Sequence, residues 1–232
     1  NVGIIYIYIY IYIEKIEKIN YFISLGCSCN VSYFIKMLSL KRFSLPFDWV
    51  FSNCKMIIDI LHNNFEDFID TKYIIGTSEH KKYHKKMFNH KNMTQKKNIE
   101  YYKRCITRFQ KVINSSKKKL FIHTSYKILG NRTSYAKFFV SPYDKHKLET
   151  NEDYIELHNC LKSITQNFIL IIIIQIPFCK EPKILKEIIE SELIIYNLHL
   201  KGDTSGTIFS NDIDNNNYKK IINSYDYELL TL

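Results

Sequence analysis

An α/β domain with a mainly parallel sheet of about four to five strands flanked by helices is the fold that this 232-residue sequence predicts. Three observations carry the prediction. Short apolar runs alternate with segments of helical periodicity, the order expected of strand–helix units in a parallel sheet. One run, FILIIIIQIP (168–177), is apolar and β-branched almost throughout, as in a strand buried on both faces. The length suffices for one sizeable core, and the 46% apolar content lies in the globular range.

In chain order, YFISL (21–25) reads as the first strand, ended by Gly26. Asn30–Leu40 has helical spacing, with Val31, Phe34, Ile35 and Leu38 on one face. KRFSLPFDWVFSN (41–53) is a loop around Pro46. Lys55–Ile69 predicts one helix, striped by Ile57, Ile58, Ile60, Leu61, Phe65 and Phe68. Asn98–Ile113 predicts a third helix, LFIHTS (120–125) a strand, and residues 129–150 an irregular stretch. Asp153–Ile164 is a helix and 168–177 the central strand. Lys183–Glu192 then predicts a short helix, IIYNLHL (194–200) a strand and Asn215–Ser224 a terminal helix.

Residues 1–19 stand apart from this order as a low-complexity extension, leaving 20–232 as the folded domain. The run Ile4–Ile13 alternates Ile and Tyr, which a repeated AT dinucleotide would encode, and it has two apolar faces. At 10 residues it is too short to span a membrane, and without a basic flank it makes a poor signal peptide. Six cysteines (27, 29, 54, 105, 160 and 179) form no C-x-x-C pair and match no zinc module. A reducing, cytoplasmic setting without cofactor or metal is therefore expected.

Charge is unevenly spread. Residues 81–119 hold 14 Lys/Arg against one acid, Glu100, while the rest of the chain carries 19 basic and 22 acidic residues. Such a segment suits either a solvated helix face or contact with an anionic, phosphate-bearing ligand. His80, His84 and His90 lie in it, but the lysines around them disfavour a divalent metal.

The stretch FISLGCSCN (22–30) places Cys27 and Cys29 just after the first strand, where α/β domains build their sites. Cys29 falls at the start of the following helix. The helix dipole and free amides there lower a thiol's pKa and favour a nucleophile. The competing reading is an inert buried cysteine. Asp48, flanked by Phe47 and Trp49, needs a partner if buried; it either caps local backbone amides or orients a histidine. Asp212 and Asp214 are the alternative acids, and His123 in LFIHTS is a second candidate base.

The segment 24–53, SLGCSCNVSYFIKMLSLKRFSLPFDWVFSN, resembles the start of the domain of unknown function 1796 family, described as putative papain-like cysteine peptidases. The resemblance rests on SLG-x-x-C (Ser24, Leu25, Gly26, Cys29) and S-x-P-F-D-W (Ser44, Pro46, Phe47, Asp48, Trp49). It extends more weakly through FEDFI, FNHKN and SNDIDNNNYKKII. It implies a cysteine hydrolase acting on a peptide or other amide, with Cys29 rather than Cys27 as the functional thiol. His90 would be the base, and Asp48 or Asp212 the orienting acid. Two positions depart from the family pattern: Lys91 stands where it tends to have Asp, and Tyr218 where it often has Trp. The other readings are a non-catalytic module that binds an anion through 81–119, and an inactive copy of the family.

Overall fold

The computed structural model describes residues 18–127 and 148–232. The alternating Ile/Tyr run, and the irregular stretch as far as residue 147, lie outside the described residues. A five-stranded sheet organises the chain in the order β1-β4-β5-β7-β6, comprising β1 (Tyr21–Ser24), β4 (Lys119–Tyr126), β5 (Phe168–Ile176), β7 (Leu193–His199) and β6 (Lys183–Glu190). The first four run parallel, and β6 joins the edge antiparallel to β7. The mainly parallel α/β architecture read from the sequence is thus present. A separate two-stranded ribbon pairs β2 (Ile74–Ile75) with β3 (Glu79–His80).

Helices cover both faces. On one side, α1 (Asn30–Met37) and α6 (Asp212–Ile222) pack Val31, Phe34, Ile35, Tyr218 and Ile221 against Leu120, Ile122, Ile171 and Ile173. On the other, α2 (Cys54–His62), α3 (Glu66–Ile69), α4 (Lys96–Ile113) and α5 (Asn151–Ile164) bury Ile57, Phe68, Phe109 and Leu157 against Phe121, Leu170 and Ile172. Strand β5 lies between β4 and β7. Every residue in it is buried except the half-buried Ile169, which explains its unbroken apolar run. No helix among the described residues is long and apolar enough to cross a membrane.

Two expectations are corrected. Lys183–Glu192 is not a helix but β6, closed onto β7 by a short turn. Its isoleucines fit either period, and the ladder offered by β7 decides between them. The expected single helix Lys55–Ile69 is two, α2 and α3, because Asn64 and Phe65 adopt positive φ and break it. Asn53 caps α2 by accepting from the Met56 N–H at 2.9 Å.

The connection from β1 to α1 positions everything that follows. Gly26 and Cys27 have φ of 84° and 73°, two successive left-handed residues that turn the chain sharply. The Ser52 hydroxyl bridges this turn, accepting from the Cys27 N–H at 2.9 Å and donating to the Leu25 carbonyl at 2.8 Å. A Cβ at position 26 would collide with Ser52 Oγ and lie 2.9 Å from the Val50 carbonyl oxygen. Gly26→Ala is therefore expected to lower the unfolding free energy by about 2 kcal/mol or more in urea titration. An unchanged midpoint would contradict the close approach.

Candidate active site

Cys29 occupies the N-cap position of α1, and its carbonyl accepts from the Tyr33 N–H at 2.9 Å. Its Sγ lies 3.0 Å from Nε2 of His90. The two residues stand 61 positions apart in the chain: Cys29 comes from the strand–helix turn, His90 from the loop between β3 and α4. Cys29 is 5% exposed, whereas His90 is exposed and meets the edge of Trp49 with ring centroids 5.8 Å apart. Trp49 is itself held at φ 61°, and the Lys41 ammonium sits 5.5 Å from its ring centroid.

Asp48 explains why the PFDW loop sits where it does. One carboxylate oxygen accepts from Ser32 Oγ in α1 at 2.8 Å. The other accepts from the Leu45 N–H at 2.8 Å and pairs with Lys41 at 2.7 Å. Asp48 is 4% exposed, so it is a buried anion satisfied by a cation, a hydroxyl and an amide. Both carboxylate oxygens are engaged by these groups. Among the described residues no hydrogen bond joins it to His90. Asp212 is exposed at the start of α6, and its carboxylate makes no hydrogen bond or ion pair among the described residues. The buried acid nearby in sequence is Asp214, which accepts from the Lys201 and Gly202 N–H groups at 2.9 and 3.0 Å and so holds the loop after β7.

The electrostatics differ from expectation at the thiol. Burial pushes Cys29 up to about 11, outweighing the helix end that was expected to lower it. Cys27, in the turn, is pushed well above the ordinary range by burial and by the Glu149 carboxylate; its side chain packs against Tyr126. His80 and His84 are not helical partners. His80 lies in β3, stacked on Tyr83 with Nε2 2.9 Å from the Asp67 carbonyl, and His84 stacks on Phe51. His123 is fully buried in β4, its Nε2 3.0 Å from Glu149.

A polar network below the turn was not read from the sequence. Ser28 Oγ donates to Asn30 Oδ1 at 2.6 Å, Tyr126 Oη donates to Ser28 Oγ at 3.1 Å, and Asn30 Nδ2 donates to Thr204 Oγ1 at 3.1 Å. These residues fix the Cys29 turn to β4 and to the loop after β7. Ser52 was missed likewise. Nothing in their local spacing announces contacts made across 25 to 174 positions of chain.

The basic segment is partly consumed by the fold. Lys82 pairs with Asp59 at 2.6 Å and Asp67 at 2.7 Å, Lys91 lies over the Tyr101 ring, and the buried Lys119 ammonium donates to the carbonyls of Ser115, Lys117 and Gln166. Lys96, Lys97, Arg104 and Lys111 remain exposed on α4.

Over 48 residues the chain is 50% identical to an uncharacterized protein of Acanthamoeba polyphaga mimivirus, a match covering 20% of this chain and 22% of that protein. No solved structure matches. The family model described as "Putative papain-like cysteine peptidase (DUF1796)" matches residues 20–86, which contain the Cys29 turn and the PFDW loop and stop just short of His90; it is the family that the SLG-x-x-C and PFDW motifs resemble.

Proposed function

We propose that the chain is a cysteine hydrolase that cleaves a peptide, isopeptide or similar amide by acyl transfer, with Cys29 as nucleophile and His90 as general base. The observation that carries this reading is the 3.0 Å contact between Cys29 Sγ and His90 Nε2 at the strand–helix turn. The family description of the matched residues supports the same class of chemistry.

The proposed steps use this contact. The buried thiol holds its proton at rest, so His90 Nε2 takes it as sulfur attacks the carbonyl carbon. Backbone N–H groups in the first turn of α1 have no intrahelical acceptor and are the donors available for the oxyanion. Collapse of the tetrahedral intermediate expels the amine, which takes the proton from His90, and leaves a thioester on Cys29. His90 then deprotonates a water, which attacks the thioester. The second collapse releases the carboxylic acid and returns the proton to sulfur.

In this reading Asp48 is a positioning residue that holds the PFDW loop, and with it Trp49, beside His90. An anion-binding module is the weaker reading, since Lys82, Lys91 and Lys119 are engaged within the fold. We also propose that residues 1–19 are a low-complexity extension to a 20–232 domain, although Ile19 at its end is buried and bridges Tyr227, so that residue packs with the domain.

Cys29→Ala and His90→Ala are expected to lower turnover of a peptide or isopeptide library by roughly 10² or more, with unchanged circular dichroism. Full activity in Cys29→Ala would overturn the assignment. Asp48→Asn is expected to cost about 1–3 kcal/mol of stability in urea titration, from the lost charge opposite Lys41. A stable Asp48→Asn protein that is inactive would instead make Asp48 part of the chemistry.

A further inference from the structure

We propose that Cys54, His123 and Glu149 form a binding site for one divalent transition cation of the zinc class, separate from the Cys29–His90 pair. One ligand atom from each residue lies within 4.8 Å of the other two. The three converge from different elements. Cys54 opens α2, His123 lies in β4, and Glu149 immediately precedes the Thr150 cap of α5. His123 Nε2 is 3.0 and 3.1 Å from the two Glu149 carboxylate oxygens, and the Cys54 N–H donates to Glu149 Oε1 at 2.6 Å. The carboxylate is thereby fixed facing both the imidazole and the start of the helix that carries the thiol.

Donor chemistry selects the cation. A thiolate and an imidazole suit zinc-class metals, whereas magnesium and calcium take oxygen ligands. Charge points the same way: a dication with one thiolate, one carboxylate and a neutral imidazole is neutral overall, which lowers the cost of burying the ions. Cys54 and His123 are completely buried, and the Glu149 side chain keeps 13% exposure, leaving the approach on its side. Three protein ligands leave one tetrahedral position for solvent, the arrangement of open zinc sites.

Among the described residues the imidazole makes its hydrogen bonds through Nε2, the nitrogen on the ring edge that faces the Glu149 carboxylate. The site is also distinct from the proposed nucleophile, because the Cys29 thiol contacts His90 and none of these three side chains by hydrogen bond.

The test is Co²⁺ titration of the reduced, chelator-stripped full chain, read by thiolate-to-cobalt charge-transfer absorption. One equivalent is expected to bind with that band, and Zn²⁺ is expected to displace it. Cys54→Ser should abolish the band, His123→Ala and Glu149→Gln should each weaken affinity roughly tenfold or more, and Cys29→Ser should leave the band unchanged. Circular dichroism checks each variant, and Glu149→Gln, which keeps the side chain's shape and one acceptor oxygen, decides if Cys54→Ser does not fold. Absence of the band, its survival in Cys54→Ser, undiminished affinity in Glu149→Gln, or its loss in Cys29→Ser would each overturn the proposal. The hydrolase reading is tested separately by the turnover of Cys29→Ala.

Discussion

The hydroxyl of Ser52 holds the turn on which the candidate site is built. By bonding the Leu25 carbonyl and the Cys27 N–H, it fixes two consecutive left-handed residues, 26 and 27, that chain sterics disfavour outside glycine. Two such bonds contribute only about 1 kcal/mol each. Their effect is mainly geometric, because they set the angle at which α1 leaves the sheet and therefore where Cys29 stands. Asp48 makes the second tie, from the same loop to Ser32 in α1. The SLG-x-x-C motif thus supplies the thiol, while the PFDW loop, which Asp48 ties to α1, supplies the ring that meets His90.

Burial of the proposed nucleophile raises a question of protonation. With Cys29 pushed up to about 11 by burial, the resting sulfur is a thiol rather than a thiolate. In the proposed reaction, attack then requires proton transfer to His90, so the 3.0 Å separation matters more than any standing charge. The lysines of the basic segment do not offset this, since several are engaged with Asp59, Asp67, Tyr101 and backbone carbonyls.

How much of this was legible in the residues depends on how local the cause was. The parallel sheet followed from apolar runs such as 168–176, because burial on both faces leaves a compositional trace. Strand β6 was misread as a helix, since its isoleucines satisfy both periods and only pairing with β7 separates them. The break between α2 and α3 was invisible because Phe65 at φ 65° is not a residue that advertises a turn. The motifs that the chain resembles single out Cys29 and His90, and the fold sets them 3.0 Å apart. Glu149 was not legible, because its meaning arises only when β4, α2 and the start of α5 come together.

The most direct measurement is site-resolved alkylation of the native full chain by iodoacetamide, quantified for each cysteine by mass spectrometry across pH. Cys179, the only one of the six that is not buried, serves as internal reference. The account predicts that the Cys29 rate rises with pH toward about 11 without levelling off near neutrality. It further predicts that His90→Ala slows Cys29 at neutral pH by roughly tenfold or more while leaving Cys179 unchanged. A Cys29 rate indifferent to His90, or lower than that of Cys27, would contradict the central claim that Cys29 and His90 act as one reactive pair.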